Sequence, residues 1–139
     1  LLHGLDKMPV TKLPWGKITS VDLKTGNHSW SIPFGNVIND DGEILGKGAL
    51  NFGGLLSTGG DVLFATGTSD KKHYAYSLIN GNALWSYQGN LSGSTSPMTY
   101  EYQNCQYVIF VETGGSFVGF ENGSGSIKAF SLPSCQTHK

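Results

Sequence analysis

A ten-residue pattern that recurs along the chain limits what this sequence can fold into. Val21-Asp-Leu-Lys-Thr-Gly-Asn-His-Ser-Trp30 is matched by Tyr76-Ser-Leu-Ile-Asn-Gly-Asn-Ala-Leu-Trp85. From Asp22 to Ser77 is 55 residues, and from Ser77 to Ser131, in the third related run Lys128-Ala-Phe-Ser131, is 54. A period near fifty, with about four β-favouring runs in each copy, is that of propeller blades. A second pair of landmarks keeps the same order: Val62-Leu-Phe-Ala-Thr-Gly67 is echoed by Ile109-Phe-Val-Glu-Thr-Gly114, with a longer loop after the second copy.

The runs between turn signals predict strands over Lys17 to Asp22, His28 to Pro33, Gly54 to Thr58, Asp61 to Thr66, His73 to Leu78, Ala83 to Tyr87, Ser96 to Tyr102, Gln106 to Glu112 and Ser126 to Leu132. No window carries a helical period. Glycine is 20 of 139 residues, about twice the ~7% of average usage, which suits many turns. The expected fold is all-β, made of antiparallel four-stranded blades and amounting to about two blades plus. The repeat places the outer two strands of one blade first, a whole blade from about Gly54 to Tyr87 next, and three strands of a last blade. Residues 1–139 read as one fragment of a larger propeller.

The repeat has a physical logic. Thr25-Gly26 and Asn80-Gly81 supply the positive φ that a tight turn between antiparallel strands needs. A tryptophan at a fixed distance past the turn lies against the next blade, with its indole N–H directed at a carbonyl. Asp22 is expected to close its turn by accepting from backbone N–H groups. A carboxylate needed for catalysis would not have to recur once per blade, so Asp22, Trp30 and Trp85 read as structural.

Several function classes are disfavoured. Net charge is -1 and all nine basic residues are lysines; without arginine forks or a basic stripe, nucleic acid is a poor partner. No apolar run is long enough to span a membrane. Cys105 and Cys135 lack a CxxC or flanking histidines, and two unpaired thiols are expected in preference to a disulfide. The sequons at Asn27, Asn90 and Asn122 are close to chance in a chain rich in Asn, Ser and Gly. Asn39-Asp-Asp-Gly42 reads as a turn with solvated carboxylates rather than a metal site. His3, His28, His73 and His138 read as surface or strand residues, with no triad motif. The chain begins at Leu1 without a methionine or signal peptide, so either a leader was removed or this is a piece of a longer product.

Asp22-Leu-Lys-Thr-Gly-Asn-His-Ser-Trp30 resembles the tryptophan-docking motif of the quinoprotein dehydrogenases, eight-bladed propellers that bind pyrroloquinoline quinone. Leu13-Pro-Trp-Gly-Lys-Ile-Thr19, Gly53-Gly-Leu-Leu-Ser-Thr-Gly-Gly60, Ser96-Pro-Met-Thr-Tyr-Glu101 and Gln106-Tyr-Val108 extend the likeness. In order, they are similar to the C-terminal end of the membrane-bound glucose, polyol and quinate dehydrogenases. Ser77 departs from the motif's aspartate, and the tail Glu121 to Pro133 departs from its glycine-rich approach.

The resemblance implies a parent that oxidises a sugar or polyol with pyrroloquinoline quinone, passes electrons to a membrane quinone and faces the periplasm from the inner membrane. It implies calcium in that parent, with the catalytic aspartate and calcium ligands in earlier blades. No catalytic or metal-binding residue is assigned here, and the chain alone is expected to be inactive. Cofactor contact is assigned to Asn51, Phe52 and Gly53, ahead of a blade's innermost strand: an amide donor, an aromatic wall and close backbone approach. The expected partner is the remainder of its own propeller, or a second copy through open strand edges. The alternative is a non-enzymatic propeller-repeat scaffold or binding module.

Overall fold

The computed structural model describes residues 8–114 and 123–135. They form eleven strands: β1 (Lys17–Val21), β2 (His28–Pro33), β3 (Asn36–Ile38), β4 (Ile44–Lys47), β5 (Leu55–Thr58), β6 (Val62–Ala65), β7 (Lys72–Ser77), β8 (Ala83–Gln88), β9 (Met98–Tyr102), β10 (Cys105–Glu112) and β11 (Ser126–Ser131). The only helical element among the described residues is a 3-10 turn at Pro133–Cys135.

Every strand pair is antiparallel. The sheets are β1-β2, β5-β6-β7-β8 and β9-β10-β11, plus the hairpin β3-β4. The first three are the half blade, whole blade and three-quarter blade that the repeat predicts. The hairpin is an addition the sequence reading did not place; its turn is Asn39-Asp-Asp-Gly42, where Glu43 N donates to Asn39 Oδ1 at 2.7 Å and Gly42 has φ +84°. Asp40 and Asp41 are exposed there.

Strand alternation divides the four-stranded sheet between two neighbours. Leu63, Ala65, Tyr74 and Tyr76 face the first sheet and form a core with Ile18 and Phe34, against which Trp30, Ile32 and Leu78 pack. Phe64, His73, Trp85 and Tyr87 face the last sheet, where they meet Phe110 and Phe130.

The two copies of the turn are built alike. Gly26 N donates to Asp22 O at 2.7 Å and Asp22 N to Asn27 O at 2.9 Å; Gly81 N donates to Ser77 O and Ser77 N to Asn82 O, both at 2.8 Å. Gly26 and Gly81 have φ of +74° and +73°. Lys24 N donates to Asp22 Oδ1 at 2.8 Å, and Ile79 N to Ser77 Oγ at 3.2 Å, so the serine keeps the aspartate's task with a longer, uncharged bond. Trp30 Nε1 donates to Leu78 O of the next sheet at 2.9 Å. Trp85 takes the corresponding place one sheet on, its ring centroid 5.0 Å from that of Phe130.

Cys105 and Cys135 are joined in a disulfide with Cα atoms 5.6 Å apart, which corrects the expectation of free thiols. The reason is register. Tyr107 pairs with Ser131, so the chain leaving β11 runs back beside the start of β10, and the 3-10 turn folds Cys135 onto Cys105.

Candidate functional site

All three sheets end on one side in a rim of glycine-rich loops held by backbone and hydroxyl bonds. In the first part, Trp15 N and Gly16 N both donate to Gly48 O, Gly48 N donates to Gly35 O, and Ala49 N to Phe34 O, at 2.8 to 3.1 Å. In the second, Phe52 N donates to Gly67 O at 2.9 Å, and Asn51 forms an isolated bridge with Thr68. In the third, Thr113 N and Gly114 N donate to Ser92 O, Ser92 Oγ to Thr68 O at 3.0 Å, and Ser94 Oγ to Gly114 O at 2.6 Å. The rim thus ties the four-stranded sheet to the last one through Ser92 and Thr68, and Gly35, packed against the Thr68 side chain, brings the first part beside it.

Asn51, Phe52 and Gly53 lie in the middle of this rim, on the segment entering β5. Asn51 is half-buried, with Nδ2 donating weakly to Ala49 O at 3.4 Å; its side-chain oxygen is not used in that bond. Phe52 is 44% exposed and could wall a flat ligand. Gly53 has a different explanation: a Cβ there would lie 2.2 Å from Thr66 O. Its bare backbone is required by packing against Thr66-Gly67, whatever binds above. Asn51 and Phe52 therefore have the chemistry to orient and cover a polar aromatic ligand, while Gly53 lets the segment sit close enough to present them.

Two buried polar nodes lie beneath the rim, and the sequence reading missed both. The first is Asp70, 4% exposed in the β6–β7 turn. It accepts from Asn36 N at 2.8 Å, Asn36 Nδ2 at 3.1 Å, Thr68 Oγ1 at 2.5 Å, Lys72 N at 3.2 Å and the Tyr74 hydroxyl. Asp70 ties the hairpin's β3 to the four-stranded sheet. Burial, and then the bond to Asp70, push the Tyr74 phenol well up; Tyr76 is raised by burial and by the same carboxylate.

The second node bridges the four-stranded and last sheets. Thr66 Oγ1 is 2.7 Å from His73 Nδ1, and His73 Nε2 is 3.1 Å from Glu112 Oε1. Glu112 Oε2 also accepts from Ser126 Oγ at 2.8 Å and Asn90 N at 3.4 Å. His73 and Glu112 are fully buried and Thr66 is 1% exposed. Burial lowers the His73 pKa against the opposing pull of Glu112. Glu112 is lowered as well: burial raises it, but the bonds from Ser126, His73 and Asn90 outweigh that. A neutral imidazole carrying its proton on Nε2 satisfies both contacts. The connectivity is that of a hydroxyl-imidazole-carboxylate triad, yet no substrate reaches the hydroxyl, since Thr66 Oγ1 is walled by Gly93. His73 is thus a strand residue, as expected, and a buried one. One signal pointed to Glu112: in the echoed segments it holds the position of Ala65, which is fully buried.

His28 and Asn27 are exposed in the first repeat and Asn90 at the end of β8, while Asn122, His3 and His138 lie outside the described residues. Among the described residues, no group of three or more His, Cys, Asp or Glu side chains could hold a metal ion. No helix among them is long and apolar enough to cross a membrane. An open cleft of about 420 Å³ lies at the opposite end from the rim, lined by Thr58, Gly59, Gly60, Thr99, Tyr100, Glu101 and Gln106.

Residues 2–108 match the family model for the β-propeller domain of PQQ-dependent glucose, ethanol and alcohol dehydrogenases. The chain belongs to this family. It is 35% identical over 137 residues to the quinoprotein glucose dehydrogenase of Escherichia coli (strain K12), covering 91% of this chain and 16% of that protein. It is 32% identical over 135 residues to a probable quinate dehydrogenase (quinone) of Xanthomonas campestris pv. juglandis, covering 91% and 17%. The quinohemoprotein alcohol dehydrogenase of Comamonas testosteroni superposes with a TM-score of 0.65 at 24% identity, over 91% of this chain and 18% of that one. This PQQ-family chain therefore spans about a sixth of the length of the relatives it matches.

Proposed function

We propose that the chain is the C-terminal segment of a quinoprotein dehydrogenase that oxidises a sugar or polyol with pyrroloquinoline quinone and passes the electrons to a membrane quinone. The family match over residues 2–108 carries this reading. The rim supports it: Asn51 directs a carboxamide and Phe52 an exposed ring from the segment that Gly53 seats against Thr66. When bound in the parent, the quinone is the electron acceptor for substrate oxidation. The part of Asn51 is to orient it by hydrogen bonding, and that of Phe52 is to exclude water from one side. Calcium and the general base belong to earlier blades, so the isolated segment is inactive.

Residues 1–139 then form one unit whose partner is the remainder of its own propeller, with self-association through open strand edges when that is missing. A periplasmic location fits the Cys105–Cys135 disulfide, because such bonds persist in oxidising compartments. The test is to express the gene with any in-frame sequence upstream of Leu1 and assay quinone-dependent dye reduction on aldoses and polyols. The extended product should turn over and the 139-residue chain should not. A stop codon directly upstream of a translated Leu1 segment, or an extended product with no quinone-dependent activity, would favour the scaffold reading.

A further inference from the structure

Thr66, His73 and Glu112 join the middle and last sheets through one continuous polar chain, and neither the rim chemistry nor the repeat requires it. We propose that this chain is an acid-sensitive seam: proton uptake by its buried groups destabilises the junction of the two sheets and loosens the rim above it.

The geometry makes the seam both tight and sensitive to protons. His73 is stacked on Phe110, with ring centroids 4.5 Å apart and an interplanar angle of 18°, and lies parallel to Tyr87 at 6.2 Å. Its two nitrogens are already used, Nδ1 accepting from Thr66 and Nε2 donating to Glu112. A second proton on Nδ1 would force the Thr66 hydroxyl to turn and would bury a cation between aromatic rings. The charged groups facing the imidazole are Glu112 from β10, Lys128 from β11 and Asp70 from the β6–β7 turn. The two carboxylates favour the cation and Lys128 opposes it, but burial outweighs them.

The signs agree for both partners. His73 is lowered from 6.5, so its stabilisation is full above 6.5 and is lost as pH falls below that value toward its folded pKa. Glu112 is lowered from 4.5, so its share is lost at still lower pH. Acid therefore weakens the seam in two steps, first at the histidine and then at the carboxylate.

The rim is coupled to the seam by close packing. A Cβ on Gly53 would strike Thr66 O, one on Gly93 would lie 2.5 Å from Thr66 Oγ1, and one on Gly89 would lie 2.5 Å from Glu112 Oε1. The segments carrying Asn51 and Ser92 rest directly on the seam, so their order should fail with it.

The test uses the 139-residue chain. Heteronuclear NMR of the His73 ring should show the neutral form with the proton on Nε2 at neutral pH, and proton uptake only below the pH at which the unfolded chain's histidines titrate. Tm should fall between about pH 7 and about pH 5, with the amides of Phe52, Thr113 and Gly114, which donate to Gly67 O and Ser92 O, losing exchange protection in the same range. The double variant His73→Leu/Glu112→Ala, which gives position 112 the residue found at 65, should lose at least half of that fall. An imidazolium at neutral pH, a flat wild-type Tm, or an unchanged fall in a folded double variant would each overturn the proposal. Should the double variant not fold, the wild-type ring spectra and amide exchange decide it.

Discussion

Reducing the Cys105–Cys135 bond should destabilise the last sheet by an amount the loop length predicts. The bond closes a loop across a separation of 30 residues. On the chain-entropy model, a loop of that size restricts the unfolded ensemble by about 3.6 kcal/mol at room temperature. With a urea dependence of about 2 kcal/mol per molar, the unfolding midpoint should drop by roughly 1.8 M on reduction. Equilibrium unfolding followed by tryptophan fluorescence, with and without a phosphine reductant, reads this directly. The Cys105→Ala/Cys135→Ala variant supplies the control, unfolding near the reduced midpoint and ignoring the reductant. The reasoning fails if the air-oxidised chain, unfolded without reductant, takes up two alkyl groups by mass. It also fails if reduction leaves the midpoint where it was, because the loop would then already be restrained by residual structure.

Trp30→Phe removes the Nε1 bond to Leu78 O while keeping most of the ring, so it should cost about 1 kcal/mol by urea unfolding. Gly81→Val should cost more, about 2 kcal/mol or above, because φ is +73° and the new Cβ would meet Trp30 Cε3 at 2.9 Å; equal stability would mean the turn is not strained. Asp22→Ala loses an exposed bond to Lys24 N and should cost under about 1 kcal/mol, a small shift in Tm. In a full-length product, Asn51→Ala and Phe52→Ala should weaken reconstitution by pyrroloquinoline quinone about tenfold or more while far-UV dichroism stays unchanged, tenfold being about 1.4 kcal/mol of binding. Unaltered cofactor titration would remove both from the site.

The sheet arrangement was legible because its determinants are local and repeated. Turn glycines at Gly26 and Gly81, tryptophans eight residues beyond Asp22 and Ser77, and β-favouring runs set between turn residues all act within a few residues. The β3-β4 hairpin escaped because its strands are three and four residues long and carry Asn, Gly and Lys in place of a sustained alternation. The disulfide escaped because a 30-residue spacing says nothing about which strand ends meet; that depends on the Tyr107–Ser131 register. Asn51, Phe52 and Gly53 could be placed on a strand entrance, but only the structure shows that Gly53 answers to Thr66. Asp70, His73 and Glu112 are the least readable. Their partners lie 34 to 39 residues away for Asn36–Asp70 and His73–Glu112, and sequence-local rules do not reach that far.

The tryptophan dock also bears on how such a chain can be lengthened or shortened. Trp30 belongs to one sheet, but its hydrogen-bond acceptor Leu78 and its floor Gly81 belong to the next. The smallest self-consistent module is therefore offset from the blade: it runs from one tryptophan to the turn that receives it, straddling two sheets. A duplication or deletion cut at blade boundaries separates each ring from its receiving turn, whereas one cut inside a sheet carries ring and turn together. Gene rearrangements in propellers of this type should leave their scars within blades, and an engineer splicing repeats from two sources should join them there too.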